Sequence, residues 1–466
     1  MKLRSLSIAA ILAIALTGCA IGPNYRRPQI AVPDQFRNAP PAAGPASIAD
    51  TKWFDLFQDD TLKQLVTTAL TNNFDIRIAA ERVLEARAQY GITHAGLLPT
   101  LDAQGQFAAT RTSSVGSFNF IPKGSNLSTS YTQAALSFNW EIDLWGRVRR
   151  LSESARAQYL ASEEARNGVT ISLISEVMNT YFALREHDLE LEIARQTRDI
   201  ATDNLRLINL RHDRGAANGL EVHQAEQFLY TATAEIASGQ RSIGQTEDAL
   251  NLLLGGTPNE VPRGKTLEQI TSAPQLPAGL PSSLLERRPD IRLAEENLIS
   301  ANAQIGAARA LFFPQFALTG LAGSQSRSLG DMFTGPARLA NVGPSATVPI
   351  FRAALRSGVK LTEAQQREML VTYQKTIYGA LSEVSDALVA HDRTREQRAE
   401  QEKFVGALSE SVRLSNLRYR GGLDSYLQVL DAERNLFGGQ LTLAQLRLLE
   451  LQSVVQLYRA LGGGWQ

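Results

Sequence analysis

Apolar residues recur along this chain at two different periods. Ile174, Val177, Tyr181, Leu184 and Leu191 step by three, four, three and seven residues. Leu370, Tyr373, Ile377, Leu381, Val384 and Leu388 keep the same rhythm, and Phe437, Leu441, Ala444, Leu448, Leu451, Val455 and Tyr458 alternate fours and threes. Such steps return a side chain to one helical face, so each run is a heptad seam that requires another helix against it. No proline falls between Trp145 and His212. That predicts a single helix of about 65 residues, about 100 Å long at the α-helical rise. A globular core rarely needs that length, whereas a structure crossing a compartment does.

The second period is two. Thr132, Ala134, Leu136, Phe138 and Trp140 alternate with Gln133, Ser137 and Asn139, and Phe316, Leu318, Gly320 and Ala322 alternate with Gln315 and Thr319. We place four strands at Leu101–Thr110, Tyr131–Trp140, Pro314–Gly323 and Asn341–Ile350, each the length of a tilted membrane strand. Phe107, Phe120, Tyr131, Trp140, Phe316 and Phe333 fall near strand ends or in loops, where an aromatic girdle belongs. The linkers Arg111–Ser130 and Ser324–Ala340 are rich in Ser, Gly, Asn and Thr, as exposed loops should be. Two soluble hairpins packed on helices would give a similar pattern; the absence of compensating charge on the apolar face favours the membrane. Four strands cannot close a barrel, and open edges are not tolerated in lipid, so spanning strands require several chains. Two chains would give eight strands and a filled interior, three would give twelve and a pore.

The chain is also duplicated. Asp75-Ile76-Arg77 returns as Asp290-Ile291-Arg292, and the same offset of 215 carries Pro99 onto Pro314 and Gly105 onto Gly320. From about Leu205 to Gly256 the offset is 207: Arg206, Leu207, Asn209, Leu210 and Arg211 map onto Arg413, Leu414, Asn416, Leu417 and Arg418. Gly215, Leu220, Val222, Ala225, Glu226 and Leu229 map onto Gly422, Leu427, Val429, Ala432, Glu433 and Leu436, and Gly255-Gly256 onto Gly462-Gly463. Each copy reads as a helix, two strands, a very long helix, a glycine-containing turn and a returning helix. The first copy spans 61–254 and the second 284–461, with 255–283 between them and 462–466 as a tail.

Composition narrows the classes. Lys+Arg and Asp+Glu both number 47, so no basic field points to nucleic acid. Past the N-terminus no apolar run is long enough for a membrane helix, which leaves a β-barrel open. Lys2 and Arg4 precede an apolar core from Leu6 to Leu16, and Leu16-Thr17-Gly18-Cys19 follows. Small residues before a cysteine at that place resemble a bacterial lipobox, with 1–18 a signal peptide and Cys19 the lipidated N-terminus of a segment running to 60. The other reading is an ordinary secretory signal. Cys19 is the only cysteine, which excludes disulfides, zinc clusters and a catalytic thiol elsewhere.

Catalytic chemistry is missing. His94, His187, His212, His223 and His391 form no HExxH or similar spacing, and no P-loop or GxSxG occurs. Arg420-Gly421-Gly422 lacks a following lysine and lies between helices. We expect no enzyme activity, no cofactor and no metal.

Three motifs carry a resemblance. They are Cys19-Ala20-Ile21-Gly22-Pro23-Asn24-Tyr25 with Arg27-Pro28, the run from Leu280 to Arg292 (LPSSLLERRPDIR), and Leu417 to Gly422 followed by Asp424-Ser425-Tyr426-Leu427. Together they resemble the RND-associated outer-membrane efflux lipoproteins, the TolC/OprM-like outer membrane factors, from Cys19 to the C-terminus. The resemblance implies a mainly α fold with membrane β: a long α-helical barrel plus four strands per chain in a shared twelve-stranded trimeric β-barrel. It implies a collar from Ile30–Asp60, Gly255–Ser283 and Gly462–Gln466. It also implies an outer-membrane exit duct reaching into the periplasm, with an adaptor and an inner-membrane RND pump as partners. An exit channel of a type I secretion system is the alternative within that resemblance; a periplasmic scaffold lipoprotein without a pore is the alternative outside it. The turns His212–Gly219 and Tyr419–Ser425 are then the periplasmic tip, and Asp424 matches the acidic residue at the constricted mouth. We expect Arg420, rather than Arg418, to pair with Asp424, with Tyr419 and Tyr426 supplying hydrogen bonds. Arg287-Arg288 reads as a capping and packing pair rather than a binding patch, since Pro289 and Asp290 suit a helix start.

Overall fold

The computed structural model describes residues 20–38, 47–113, 126–270 and 277–463. Cys19, the signal segment 1–18, Phe120 and residues 39–46, 271–276 and 464–466 of the three collar segments lie outside these. The chain divides into two compact units: Met1–Pro28, Leu84–Ala161 and Ala294–Thr372 make the first, and Gln29–Val83, Ser162–Leu293 and Tyr373–Gln466 the second. The principal helices are α1 (Asp60–Asn72), α2 (Phe74–Ala95), α3 (Arg147–Asp213), α4 (Gly219–Leu253), α5 (Pro289–Ala310), α6 (Ala353–Arg420) and α7 (Tyr426–Ala460). Strands β1 (Thr100–Arg111) and β2 (Ser128–Ile142) fall between α2 and α3, and β3 (Gln315–Ser326) and β4 (Arg338–Thr347) between α5 and α6. The element pairs α2/α5 and β1/β3 repeat at the offset 215, and α4/α7 at 207. Among the described residues no helix is long and apolar enough to cross a membrane.

In the first unit the strands form one antiparallel sheet in the order β1-β2-β3-β4. Its register sorts the side chains. Leu101, Phe138, Gly320 and Val342 form one row across all four strands, and Ala103, Leu136, Ala322 and Ala340 the row above it. Trp140, Leu318 and Pro344 continue that face, which is apolar through these three rows and turns polar toward the loops, where Ser324 and Arg338 lie on it. The other face carries Asp102, Ser137 and Asn341, then Gln106, Gln133 and Gln325. Tyr131 pairs with Ala108 on this polar face, so it does not join the apolar-side aromatics Phe107, Trp140 and Phe316. The last strand sits three residues before its expected place: β4 covers Arg338–Thr347, not Asn341–Ile350. Pro349 cannot donate to a ladder and restrains Val348 before it, whereas Arg338 to Ala340 still find partners in Ser324 to Ala322. Polar Ser324 and Gln325 resemble loop residues in sequence, yet both pair in the ladder, Gln325 with Gln133 on the polar face and Ser324 with Ala134 on the other.

Below the sheet in the same unit, residues 20–27 strap across α3 and α5. Ile21 N–H donates to Trp145 O at 3.0 Å. Buried Arg150 donates to the Ile21 and Gly22 carbonyls and to Asn24 Oδ1. Asn302 binds the Pro23 carbonyl, and Arg27 makes a two-pronged pair with Glu295 at 2.7 and 2.6 Å. Charge-assisted bonds at both ends fix the strap along its helices.

The second unit holds the heptad cores. Val177, Tyr181 and Leu184 on α3, Ile377 and Val384 on α6, and Ala444, Val455 and Tyr458 on α7 are buried, as the seams require. Buried Asp59 organises the connections: it caps α1 through Thr61 and Leu62 N–H and accepts from Lys265 N–H and from Tyr181 Oη at 2.9 Å. Burial, then Asp59, push the Tyr181 phenol far above its usual range. The two repeats solve one further problem by different chemistry. Buried Asn73 donates to Leu253 O at 2.9 Å at the end of α4, and buried Arg288, its repeat equivalent, donates to Ala460 O at 3.0 Å at the end of α7. Terminal helix carbonyls need such donors, so Arg288 does cap and pack as its sequence suggests; it also pairs with Asp290 and Glu383.

The register makes a direct test of facing. Leu136→Arg, on the apolar face, should impair outer-membrane insertion by roughly 2–4 kcal/mol per chain at mid-bilayer depth, while Ser137→Arg next to it should insert. Heat-modifiable mobility in gels from outer-membrane fractions reports both. Normal insertion of Leu136→Arg with loss of Ser137→Arg would invert the assignment.

Candidate gate at the helical turns

Both α3–α4 and α6–α7 turn back through the same backbone device. Gly215 and Gly422 take the left-handed conformation at φ +72 and +71. Around them, Gly422 N–H bonds to Tyr419 O at 3.1 Å and Leu423 N–H to Arg418 O at 2.9 Å; Gly215 and Ala216 repeat this with His212 and Arg211. This double bond pattern satisfies the last helical carbonyls, and glycine avoids the Cβ penalty of that conformation. Asn218 then caps α4 by accepting from Glu221 N–H at 3.0 Å.

The second turn brings Arg418 and Asp424 together. Arg418 Nε donates to Oδ2 at 2.5 Å and Nη2 to Oδ1 at 3.2 Å. The Arg418 guanidinium holds the Asp424 carboxyl below the usual carboxylate range. Arg420, the expected partner, is exposed and makes no ion pair among the described residues. The turn itself explains the difference, since its closing bond joins residue 423 to 418 and sets Asp424 beside Arg418, while Arg420 lies two residues round the helix. The tyrosines also differ from expectation, for neither bonds to Asp424. Tyr419 and Tyr426 are buried with their rings 5.7 Å apart. They belong to an apolar core with Ala194, Ala201 and Ile208 of α3, Phe228 of α4, and Val429, Leu430 and Phe437 of α7. The three α3 residues step by seven, so small and large side chains interdigitate along a heptad seam. Burial pushes both phenols upward.

Two contributors escaped the sequence reading. Arg211 lies over the Tyr419 ring at 4.5 Å from its centre, a cation–π contact that ties the first turn to the second. The repeat contained the signal: Arg211 is equivalent to Arg418, but Asp424 has Ala217 as its counterpart, so Arg211 lacks an acid there and takes a ring instead. Buried Glu433 of α7 accepts from Asn204 of α3 at 2.8 and 3.0 Å; burial raises its carboxyl, with Asn204 opposing. His212 and His223 do not approach as partners: His223 bonds to Glu226 at 2.8 Å, and His212 lies 3.9 Å from Asp213.

Elsewhere on α3, Glu186, His187 and Glu190 set three ligand-type atoms within 4.8 Å of one another. His187 Nδ1 is 2.8 Å from Glu186, and that carboxylate, then Glu190, push the imidazole up to about 9.

An apolar-faced antiparallel sheet joined to paired heptad helices fits an outer-membrane channel. Comparison with known proteins agrees. The family model described as outer membrane efflux protein matches twice, over residues 65–256 and 280–463, one match to each repeat. The chain belongs to this outer membrane efflux protein family. It is 36% identical over 461 residues to the cation efflux system protein CusC of Escherichia coli O6:H1, covering 98% of each chain. It is 39% identical over 472 residues to the toluene efflux pump outer membrane protein TtgI of Pseudomonas putida, covering 100% of this chain and 99% of that one. The open state of the Neisseria gonorrhoeae MtrE outer membrane channel superposes with TM-score 0.85 at 32% identity, over 96% of this chain and 99% of that one. The Campylobacter jejuni CmeC outer membrane channel gives 0.89 at 25% identity, over 96% and 95%. The protein is an outer-membrane efflux channel with a duplicated, mainly helical chain and four strands.

The turn geometry predicts a selective weakness. A Cβ on Gly422 would meet nothing within 4 Å, so Gly422→Ala suffers only conformational strain, about 1 kcal/mol. Limited proteolysis should cut this variant faster between 418 and 426 and leave the α3–α4 turn unaffected. Equal cutting of variant and parent would mean the turn is not held by that conformation.

Proposed function

We propose that this chain works as a homotrimer, a passive duct through which small molecules leave the cell after an inner-membrane RND pump delivers them by way of a periplasmic adaptor. The observation that carries the proposal is the four-stranded sheet with one apolar face and two unpaired outer strands. In lipid every backbone donor and acceptor must be bonded, so β1 and β4 must meet strands of other copies. Three copies give twelve strands and an open pore, where two would give a filled barrel. The apolar face then meets lipid and the face of glutamines, asparagines and serines lines the water. Such a lining suits a duct that passes what its pump selects, in keeping with relatives named for cations and for toluene. The functional species should be a trimer by native mass measurement; a conducting monomer or dimer overturns the proposal.

Lipidation at Cys19 fits the strap. Ala20, the next residue, lies against Gly146 beside Trp145, where β2 passes into α3. Acyl chains there enter the leaflet at the periplasmic rim of the sheet. Intact mass should show loss of residues 1–18 and added acyl chains, and an unmodified Cys19 thiol would exclude it.

At the mouth, three Asp424 carboxylates would share one axis, with Arg418 keeping each ionised against the others. The sign follows from the lowered carboxyl: charge persists as the pH falls through the ordinary Asp range near ~4 and is lost only below it. Cation selectivity in single-channel recordings should follow the same course, and in Arg418→Gln its loss should move up to the ordinary range. Asp424→Ala should lower cation selectivity and raise conductance. Unchanged recordings from an assembled Asp424→Ala trimer would remove Asp424 from the gate.

A further inference from the structure

The loop end of the sheet, opposite the ends that join the helices, has a chemistry that an exit duct does not require. The apolar face ends there in cations. Arg111 closes the row of Leu101, Ala103, Gly105, Phe107 and Ala109 on β1, and Arg338 opens β4 on the same face, lower down, in the row of Ser324, Ala134 and Gly105. Arg327 follows directly after β3. All three arginines are exposed, and none makes an ion pair or side-chain hydrogen bond among the described residues. The sequence supplies no neutralising acid: the connection from 112 to 127 contains Lys123 and no Asp or Glu, and the connection from 327 to 337 has Asp331 alone.

Apolar side chains stand among these charges. Leu329 is 70% exposed and Phe333 is 89% exposed, on a loop held by short helical turns, and Phe107 on the apolar face is 72% exposed. Large apolar groups displayed at this level would cost free energy in water and none at a bilayer surface. The combination of unpaired guanidinium groups with exposed apolar side chains is complementary to a molecule carrying both phosphate and acyl chains.

We propose that this rim binds a phosphorylated glycolipid of the outer leaflet, the lipid A part of lipopolysaccharide, on the lipid-facing side of each hairpin pair. Arg111 on one edge strand and Arg338 on the other each take a phosphate of a separate lipid molecule, for which the planar guanidinium is suited. Leu329, Phe333 and Phe107 lie along its acyl chains. This inference rests on the barrel reading, because it needs the apolar face to meet lipid and the loops to lie at the outer leaflet.

The test uses the wild-type assembly in lipid nanodiscs. Native mass spectrometry counts bound molecules on titration with bisphosphorylated lipid A, with phosphate-free lipid A and with phosphatidylglycerol. Bisphosphorylated lipid A should bind about tenfold more tightly than the phosphate-free form, the loss of a charge-assisted contact. It should likewise exceed phosphatidylglycerol. Arg111→Gln with Arg338→Gln should abolish most of that preference, and Arg111→Lys with Arg338→Lys should keep much of it. Equal binding of the two lipid A forms overturns the proposal, and so does phosphatidylglycerol binding as tightly as lipid A, which would make the rim a general anionic-lipid surface. If the glutamine variants fail to assemble, the wild-type lipid series decides alone. A wild-type protein that does not insert as a multi-chain barrel fails the barrel reading instead, a result visible in the same spectra as the wrong mass.

Discussion

Everything in this chain depends on the hydrogen-bonding demand of backbone at the edge of a sheet in hydrocarbon. A strand that ends a sheet in water leaves its amides to the solvent; in lipid there is no solvent to take them. β1 and β4 are outermost in the order β1-β2-β3-β4, so one copy is an unfinished object. The duplication supplies two hairpins per chain instead of one, which halves the number of copies needed to close a given barrel. It also supplies two helix pairs per chain.

The helical unit meets a different constraint. A helix as long as α3 or α6 has no internal core, and its only stabilisation besides backbone bonds comes from a neighbour on its seam. Along the turns that neighbour contact is made by alternating small and large residues, Ala194 and Ala201 beside Phe228 and Phe437. At the opposite termini of α4 and α7, Asn73 and Arg288 hold the final carbonyls. Repeats that share geometry can therefore diverge in chemistry as long as a donor reaches the same carbonyl. An amide in the first copy and a guanidinium in the second both meet that demand, and the second gains Asp290 and Glu383 as further ties.

Much of the fold was legible because its periods are long and regular. The heptad runs of α3, α6 and α7 and the tandem offsets lie openly in the residue order, and the buried side chains follow them. Strand limits were less legible. Polar residues such as Gln325 and Gln133 belong to a ladder whose polar face is meant to be wet, so polarity does not mark the end of a strand in a barrel as it does in a sandwich. At the second turn the sequence set Asp424 among basic residues but did not disclose which of them it pairs with. Which of Arg418 and Arg420 meets the acid is decided by the six-residue hydrogen bond that closes the turn, a matter of backbone path. Tyr419 and Tyr426 misled for a similar reason: beside charged neighbours they read as polar, whereas the heptad register carries both rings inward.

The exchange of Asp424 for Ala217 between the two turns has a consequence for symmetry. In the trimer proposed above, the duplicated chains would present six turns of nearly the same shape, a pseudo-sixfold ring. Shape alone would let a partner seat itself in any of six positions. Charge does not repeat in that way, because Arg418 is spent on a carboxylate while Arg211 stands over an aromatic ring. The potential around such a mouth alternates from turn to turn, and its true period is three. A partner ring of six identical subunits would meet two kinds of seat in strict alternation, so equal subunits would be held in unequal environments.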